Sequence, residues 1–291
     1  MEYHQDRFDD YSLLVFKKDK LVALLPANIK GNVVYSHQGL TYGGLVVSKQ
    51  ANFEEIFNAF KVVLQFLDDN NVETLELKII PSIYNKLPSD EMNHLMIQLN
   101  ANVTRKDVLS VIDQGNKLPI VSSNRKRGIK KAESKGLIIK EEDDLNAFWD
   151  EILTPNLQHT HKVSPVHTLE EITILKSRFP QNIRQFNVYH NDVIVGGTTI
   201  FETEKVAHAQ YISANQSRQE LGTLDMLFNE LINNVFKDKS YFDFGISSEN
   251  QGKQINQGLL SWKESFGARS VVQEFYSVST KNVNLLNNLM L

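Results

Sequence analysis

Apolar residues fall along this chain in two rhythms, every second position and every third or fourth, and the switches between them mark its elements. Residues 12–16 and 21–29 are β-prone runs joined by a polar turn at 17–20, and 33–35 adds a short strand after Gly31-Asn32. A glycine-rich segment at 36–44 leads into 45–47. Helical spacing takes over at 53–69, where Phe53, Ile56, Phe57, Phe60, Val63, Leu64 and Leu67 share one face. A strand at 72–80, a helix at 90–99 and a strand at 103–112 complete the first half.

After a basic stretch the pattern starts again. Residues 137–140 are strand-like, 143–153 and 168–178 are helical, and 184–189, 193–201 and 206–212 form a three-stranded meander. A long helix at 219–236, a strand at 241–244, a helix at 252–266 and a strand at 270–277 follow. Pro155 and Pro165 are expected to break the helical region between 143 and 178. Both halves read as meander, helix, strand, helix, strand, a repeat of topology with little sequence identity. This places a first repeat at 1–113, a basic linker or helix at 114–136 and a second repeat at 137–291, with one continuous α/β domain as the alternative.

Charge and composition narrow the function classes. Lys and Arg number 31 against 35 Asp and Glu, a formal charge of -4, which argues against bulk binding of nucleic acid or anionic membrane and leaves room for a local basic patch. The absence of cysteine excludes disulfides, Cys-zinc sites and Cys nucleophiles. The polar start at 1–6 lacks a signal peptide's apolar core, and no apolar run approaches transmembrane length, so a cytoplasmic protein is expected. His159, His161 and His167 have no carboxylate at a ligand spacing, so no metal site is expected.

A set of motifs in fixed order carries a resemblance. They are Gly196-Gly197-Thr198, Ala209-Gln210-Tyr211, Leu221-Gly222-Thr223-Leu224, Phe242-Asp243-Phe244-Gly245, Gly258-Leu259 and Trp262-Lys263-Glu264-Ser265-Phe266-Gly267-Ala268, with Tyr42-Gly43-Gly44 and the basic 127–132 before them. Together they resemble the FemABX-like branch of the GNAT acyltransferase superfamily. The resemblance implies an α/β (α+β) chain of tandem GNAT-like repeats, each a mixed sheet flanked by helices. It implies transfer of an acyl or aminoacyl group to an amine of a cell-envelope or polysaccharide-type acceptor. An aminoacyl-tRNA-dependent peptidyltransferase of peptidoglycan type and a non-catalytic scaffold on a degenerate fold are the alternatives. No tightly bound cofactor is implied; acyl-CoA is one donor and aminoacyl-tRNA the other. Two departures stand out. The turn at 218–223 has one glycine and an acid, Glu220, where a pyrophosphate loop has several glycines. The first strand begins only about ten residues in, so the first repeat is either reduced or truncated.

The candidate residues follow from the chemistry of acyl transfer, which needs a proton acceptor and donors for an oxyanion. Asp243 and Tyr211 are the catalytic candidates. Asp243 alternatively caps its loop through the N–H groups of Ser247 or Ser248. Tyr211 and His208, three apart on one strand, are expected on opposite faces. His37, Tyr42, Arg127, Lys130, Ser247, Glu249, Asn250 and Lys263 are substrate-binding candidates, and Gly222 and Thr223 candidates for holding the donor. Each also has a plain structural reading: a packed His, a solvated loop or a basic helix face.

Overall fold

A computed structural model describes residues 6–290, without the side chains of Thr160 and His161. The strands are β1 Asp9–Asp10, β2 Leu13–Lys17, β3 Lys20–Leu25, β4 Asn28–Lys30, β5 Val33–Tyr35, β6 Val46–Val47, β7 Thr74–Lys78, β8 Asn102–Asp113, β9 Ile138–Glu142, β10 Ile183–His190, β11 Val193–Glu202, β12 Val206–Ala214, β13 Tyr241–Ile246, β14 Ser248–Glu249, β15 Gln254–Ile255 and β16 Arg269–Ser279. The α-helices are α1 Phe53–Asp69, α2 Glu91–Gln98, α3 Ser123–Ser134, α4 Thr154–His161, α5 Leu169–Arg178, α6 Arg218–Leu221, α7 Thr223–Glu230 and α8 Gln257–Glu264.

The chain forms two compact units that are not contiguous in sequence. One is Met1–Asp107 with Glu249–Gln254 and Val272–Leu291; the other is Val108–Ser248 with Ile255–Val271. The C-terminal segment therefore packs with the first unit, and the basic segment expected as a linker or helix holds α3, which belongs to the second.

In the first unit, β1, β4, β5, β7 and β16 lie side by side, with β5 and β7 parallel. A second sheet holds β2, β3 and β6. Helix α1 starts where Asn52 accepts the Glu55 N–H at 2.9 Å. It buries Phe57, Phe60, Leu64 and Leu67 in a core with Leu25, Leu75 and Val278. Burying an apolar side chain of this size contributes roughly 1.5–3 kcal/mol.

In the second unit the order is β8, β13, β12, β11, β10, β9, antiparallel except for the pair β12–β13. One sheet face packs Phe186, Phe242 and Phe244 against Phe228 of α7, with Trp262 and Phe266 alongside. The opposite face lies under a π-helical turn, Phe148–Leu153, that runs straight into α4. Pro155 does not break this helix. It sits in the first turn of α4, where its missing N–H is least needed.

Two other helices differ from expectation. The helix over 219–236 is interrupted at Gly222, whose φ of 72° ends α6 and starts α7. The helix over 252–266 begins only at Gln257, because Asn256 caps it by accepting the Leu259 N–H at 2.9 Å.

Candidate functional site

The parallel strands β12 and β13 pair at Val206 with Tyr241, Ala207 with Phe242 and His208 with Asp243, and their pairing ends there. β12 continues to Ala214 on β11 alone, so the sheet splays open just past His208 and Asp243. At that vertex Asp243 Oδ2 meets His208 Nδ1 at 2.9 Å, with the carboxylate fully buried and the imidazole nearly so. Asp243 Oδ1 accepts the Gly245 N–H at 2.7 Å. Of the two readings of Asp243, the loop-capping one is altered: its backbone partner is Gly245, while the Ser247 N–H donates to the Val108 carbonyl. A carboxylate that holds an imidazole fixes the ring's orientation, as proton transfer in acyl-group chemistry requires.

Lys263 joins this vertex. A substrate-binding candidate whose plain reading is a solvated helix lysine, it is 2% exposed and donates from Nζ to the Gly245 carbonyl at 3.0 Å and the Ile246 carbonyl at 2.6 Å. Burial pushes its pKa down to about 8, opposed by the charge of Asp243. The acceptor carbonyls are turned toward it by a bulge in β13, where Gly245 takes a φ of 73°.

His208 and Tyr211 share one face of the sheet, contrary to the alternation expected. A bulge at Gln210 shifts the register, so His208 lies opposite Phe201 and Tyr211 opposite Thr199, two residues apart. The Tyr211 hydroxyl lies 2.7 Å from His167 Nδ1 and accepts the His167 backbone N–H at 3.2 Å. Trp149, from the π-helical turn, stands edge-on to the Tyr211 ring with centroids 5.0 Å apart, and its buried indole N–H has no hydrogen-bond acceptor. Sequence reasoning missed both His167 and Trp149. The row continues across the sheet through Thr199, Gln185 and Glu142, which face one another in register.

Beyond the splay lies a cavity of about 770 Å³. Its walls are Arg125, Arg127 and Lys131 of α3, Arg218 and Gln219 of α6, Asp225 of α7, Ile212 to Ala214 of β12, and Trp262 of α8. Asp225 forms an ion pair with Arg125; burial pushes its carboxyl above the usual range while Arg125 pulls it down. Four cations against one engaged carboxylate leave the cavity positive. Asn156 of α4 closes the far side, donating to Ser213 Oγ at 3.0 Å.

The remaining candidates fall elsewhere. Lys130 is exposed on α3 and is not among the residues that line the cavity. Gly222 and Thr223 do not line it either. A Cβ on Gly222 would sit 2.1 Å from the Gly128 carbonyl, so this glycine lets α3 and α7 meet. Thr223 is fully buried, with a hydroxyl that has no partner. Glu220 is bound by Lys135 at 2.9 Å on the surface rather than in the cavity wall. Ser247 is buried, its hydroxyl 3.1 Å from Ser110 Oγ. Gly258 needs no close packing, since a Cβ there meets Asn256 at an ordinary 3.7 Å.

In the first unit His37 is buried in a left-handed turn, accepting the Gly39 N–H at 3.1 Å and packed on Phe8. These contacts match the plain reading of a packed histidine. Tyr42 shares a 2.8 Å hydrogen bond with Tyr84. Glu249 and Asn250 are exposed, and Asn250 donates to Gln254. This unit also holds a polar centre that the sequence did not disclose. Asp107 is buried, paired with Arg105 at 2.6 Å, and its second oxygen has no partner. Burial, with the nearby Arg105 charge, lowers Lys78 to about 8. The His161 side chain lies outside the described residues; among those described, no group of residues suits a metal ion.

No protein-family model and no curated protein matches the sequence. Solved structures match the fold. FemX superposes with a TM-score of 0.68 at 9% identity, covering 98% of this chain and 92% of that one. L-PGS from Bacillus licheniformis gives 0.64 at 13%, covering 96% and 87%. A tandem GNAT protein from the clavulanic acid biosynthesis pathway gives 0.53 at 11%, covering 92% and 82%. The chain thus has the tandem GNAT-type fold shared by these proteins. No helix among the described residues is long and apolar enough to cross a membrane.

Proposed function

We propose that this protein transfers an acyl or aminoacyl group from a phosphate-bearing carrier to an amine. The observation that carries the reading is the splay of β12 from β13, with the Asp243–His208 pair at its vertex and the cationic cavity beyond it. Arg127, Lys131 and Arg218 bind the carrier's phosphates, and the indole of Trp262 offers a flat face to its base. Asp225 holds Arg125 in place on the wall. The acyl carbon then lies toward the vertex. The incoming amine nitrogen bonds to that carbon, the bond to the carrier breaks, and the amine's proton passes to His208, which Asp243 holds in place. His208 hands that same proton to the departing carrier, which restores the neutral imidazole. Lys263, buried at the vertex, adds positive charge where the oxyanion forms.

Two carriers fit this chemistry, a coenzyme A thioester and the acylated end of a tRNA. The second is favoured by α3 itself, whose exposed Lys126 and Lys130 continue the positive surface past the cavity as a longer polyanion requires. The acceptor is an amine of a cell-envelope precursor, in keeping with the FemX-like fold.

Tryptophan fluorescence tests the reading. The chain has two tryptophans, Trp149 and Trp262, and a Trp149→Phe background isolates the one on the cavity. Titration with coenzyme A and with uncharged tRNA should quench it, and Arg127→Glu with Arg218→Glu should weaken the tighter ligand roughly a hundredfold at low salt. Quenching by neither, with no amide formed from either donor, would leave a binding scaffold and refute the assignment.

A further inference from the structure

In the first unit the sheet of β2, β3 and β6 has one apolar face that no other described element covers. Register sets Leu14 opposite Leu24, Leu24 opposite Val46, and Phe16 opposite Leu21. All five point away from Val15 and Ala23, which belong to the core under α1. Leu14 is 57% exposed, Phe16 55%, and Leu21 and Val46 45% each. Scattered exposed apolar residues need no explanation, but four exposed ones set in register around the half-buried Leu24 form a surface.

The turn joining β2 to β3 borders this face and reads Lys17-Lys18-Asp19-Lys20. Lys17 is held by Glu55 at 2.9 Å but keeps 67% of its side chain exposed. Lys18 and Lys20 are exposed, with Asp19 as the one acid in the turn.

We propose that this face seats the protein on an anionic phospholipid surface. Phe16, Leu14 and Leu21 enter the headgroup boundary while Lys18 and Lys20 meet lipid phosphates. Charge complementarity selects this occupant over a second copy. Stacking two such faces buries the same leucines but gives the lysine turns no counter-charge, whereas an anionic surface satisfies both features. The whole chain carries a formal charge of -4, so the attraction is local, and the apolar face beside this hairpin, which the cationic surface of α3 lacks, fixes the orientation of docking. The attachment is peripheral and independent of the catalytic reading.

Co-sedimentation of the full chain with vesicles tests this. Binding to phosphatidylglycerol–phosphatidylcholine vesicles should exceed binding to pure phosphatidylcholine and weaken in high salt. Phe16→Ser and Leu14→Ser should each lower partitioning roughly fivefold to tenfold. Lys18→Glu with Lys20→Glu should abolish the preference for anionic vesicles. These side chains are exposed, so thermal unfolding should stay unchanged, which guards against misfolding as the cause. Equal sedimentation of wild type and variants, or no sedimentation, overturns the proposal. A dimer in vesicle-free solution that Phe16→Ser dissociates also overturns it, in favour of a second copy.

Discussion

Burying Lys263 ties folding stability to pH in a window that can be isolated by one substitution. Its pKa falls from 10.5 to about 8 on folding, with burial as the main cause. At about 1.4 kcal/mol for each tenfold change in proton affinity, the charged amine costs roughly 3 kcal/mol in the folded protein. Below pH 8 folded and unfolded chains both hold the proton, and this cost is present in full. Between pH 8 and 10.5 the unfolded chain still binds the proton while the folded chain releases it, so stability rises with pH. Above 10.5 both are neutral and the cost is gone. Lys78, lowered to about 8 in the other unit, contributes a similar rise, so wild type alone is uninformative. Comparison with Lys263→Met removes the contribution of Lys78, which both proteins share. The variant leaves the Gly245 and Ile246 carbonyls without their donor, an offset that does not vary with pH. Urea unfolding at steps from pH 7 to 10 should therefore show wild type gaining on Lys263→Met by about 2–3 kcal/mol. Two curves that run parallel would show that Lys263 keeps its proton or reaches water, and the oxyanion role would go with them.

The glycine contact between α3 and α7 offers a controlled comparison. Gly222 and Gly136 have φ of 72° and 70°, but a Cβ at Gly136 meets nothing within 4 Å. Gly136→Ala should cost about 1 kcal/mol for its backbone alone, and Gly222→Ala several, read as a much larger fall in Tm; equal falls would refute the packing argument. Thr223→Val removes a buried hydroxyl that lacks a partner and should stabilise the fold by about 1 kcal/mol in chemical denaturation. A loss of that size would reveal a partner for the hydroxyl.

What was legible in the sequence is what local periodicity decides. Helix α1 spans Phe53–Asp69, the same residues that the apolar stripe marks out, because its stripe is long and its cap is local. The meander and the strand carrying Asp243 were legible for the same reason. The Gln210 bulge was not. One inserted residue leaves the run Val206-Ala207-His208-Ala209-Gln210-Tyr211-Ile212 as β-prone as before, yet it moves Tyr211 onto the face of His208. Gly222 likewise sits within an unbroken helical pattern, and only its φ shows the break.

The site depends on that kind of information. Asp243 was visible as an acid at a strand end, but its partner lies 35 positions earlier, on a strand made adjacent by parallel pairing. Lys263 read as a ligand contact or a solvated lysine, not a buried one, because helix spacing alone cannot show that carbonyls from a β13 bulge will reach it. Those carbonyls are presented because Gly245 adopts a left-handed backbone, and the Gly245 N–H also donates to Asp243. A single glycine therefore orients both the carboxylate behind His208 and the acceptors of the buried lysine. The vertex thus depends on backbone geometry as much as on its charged groups, which explains why a list of charged residues alone did not assemble it.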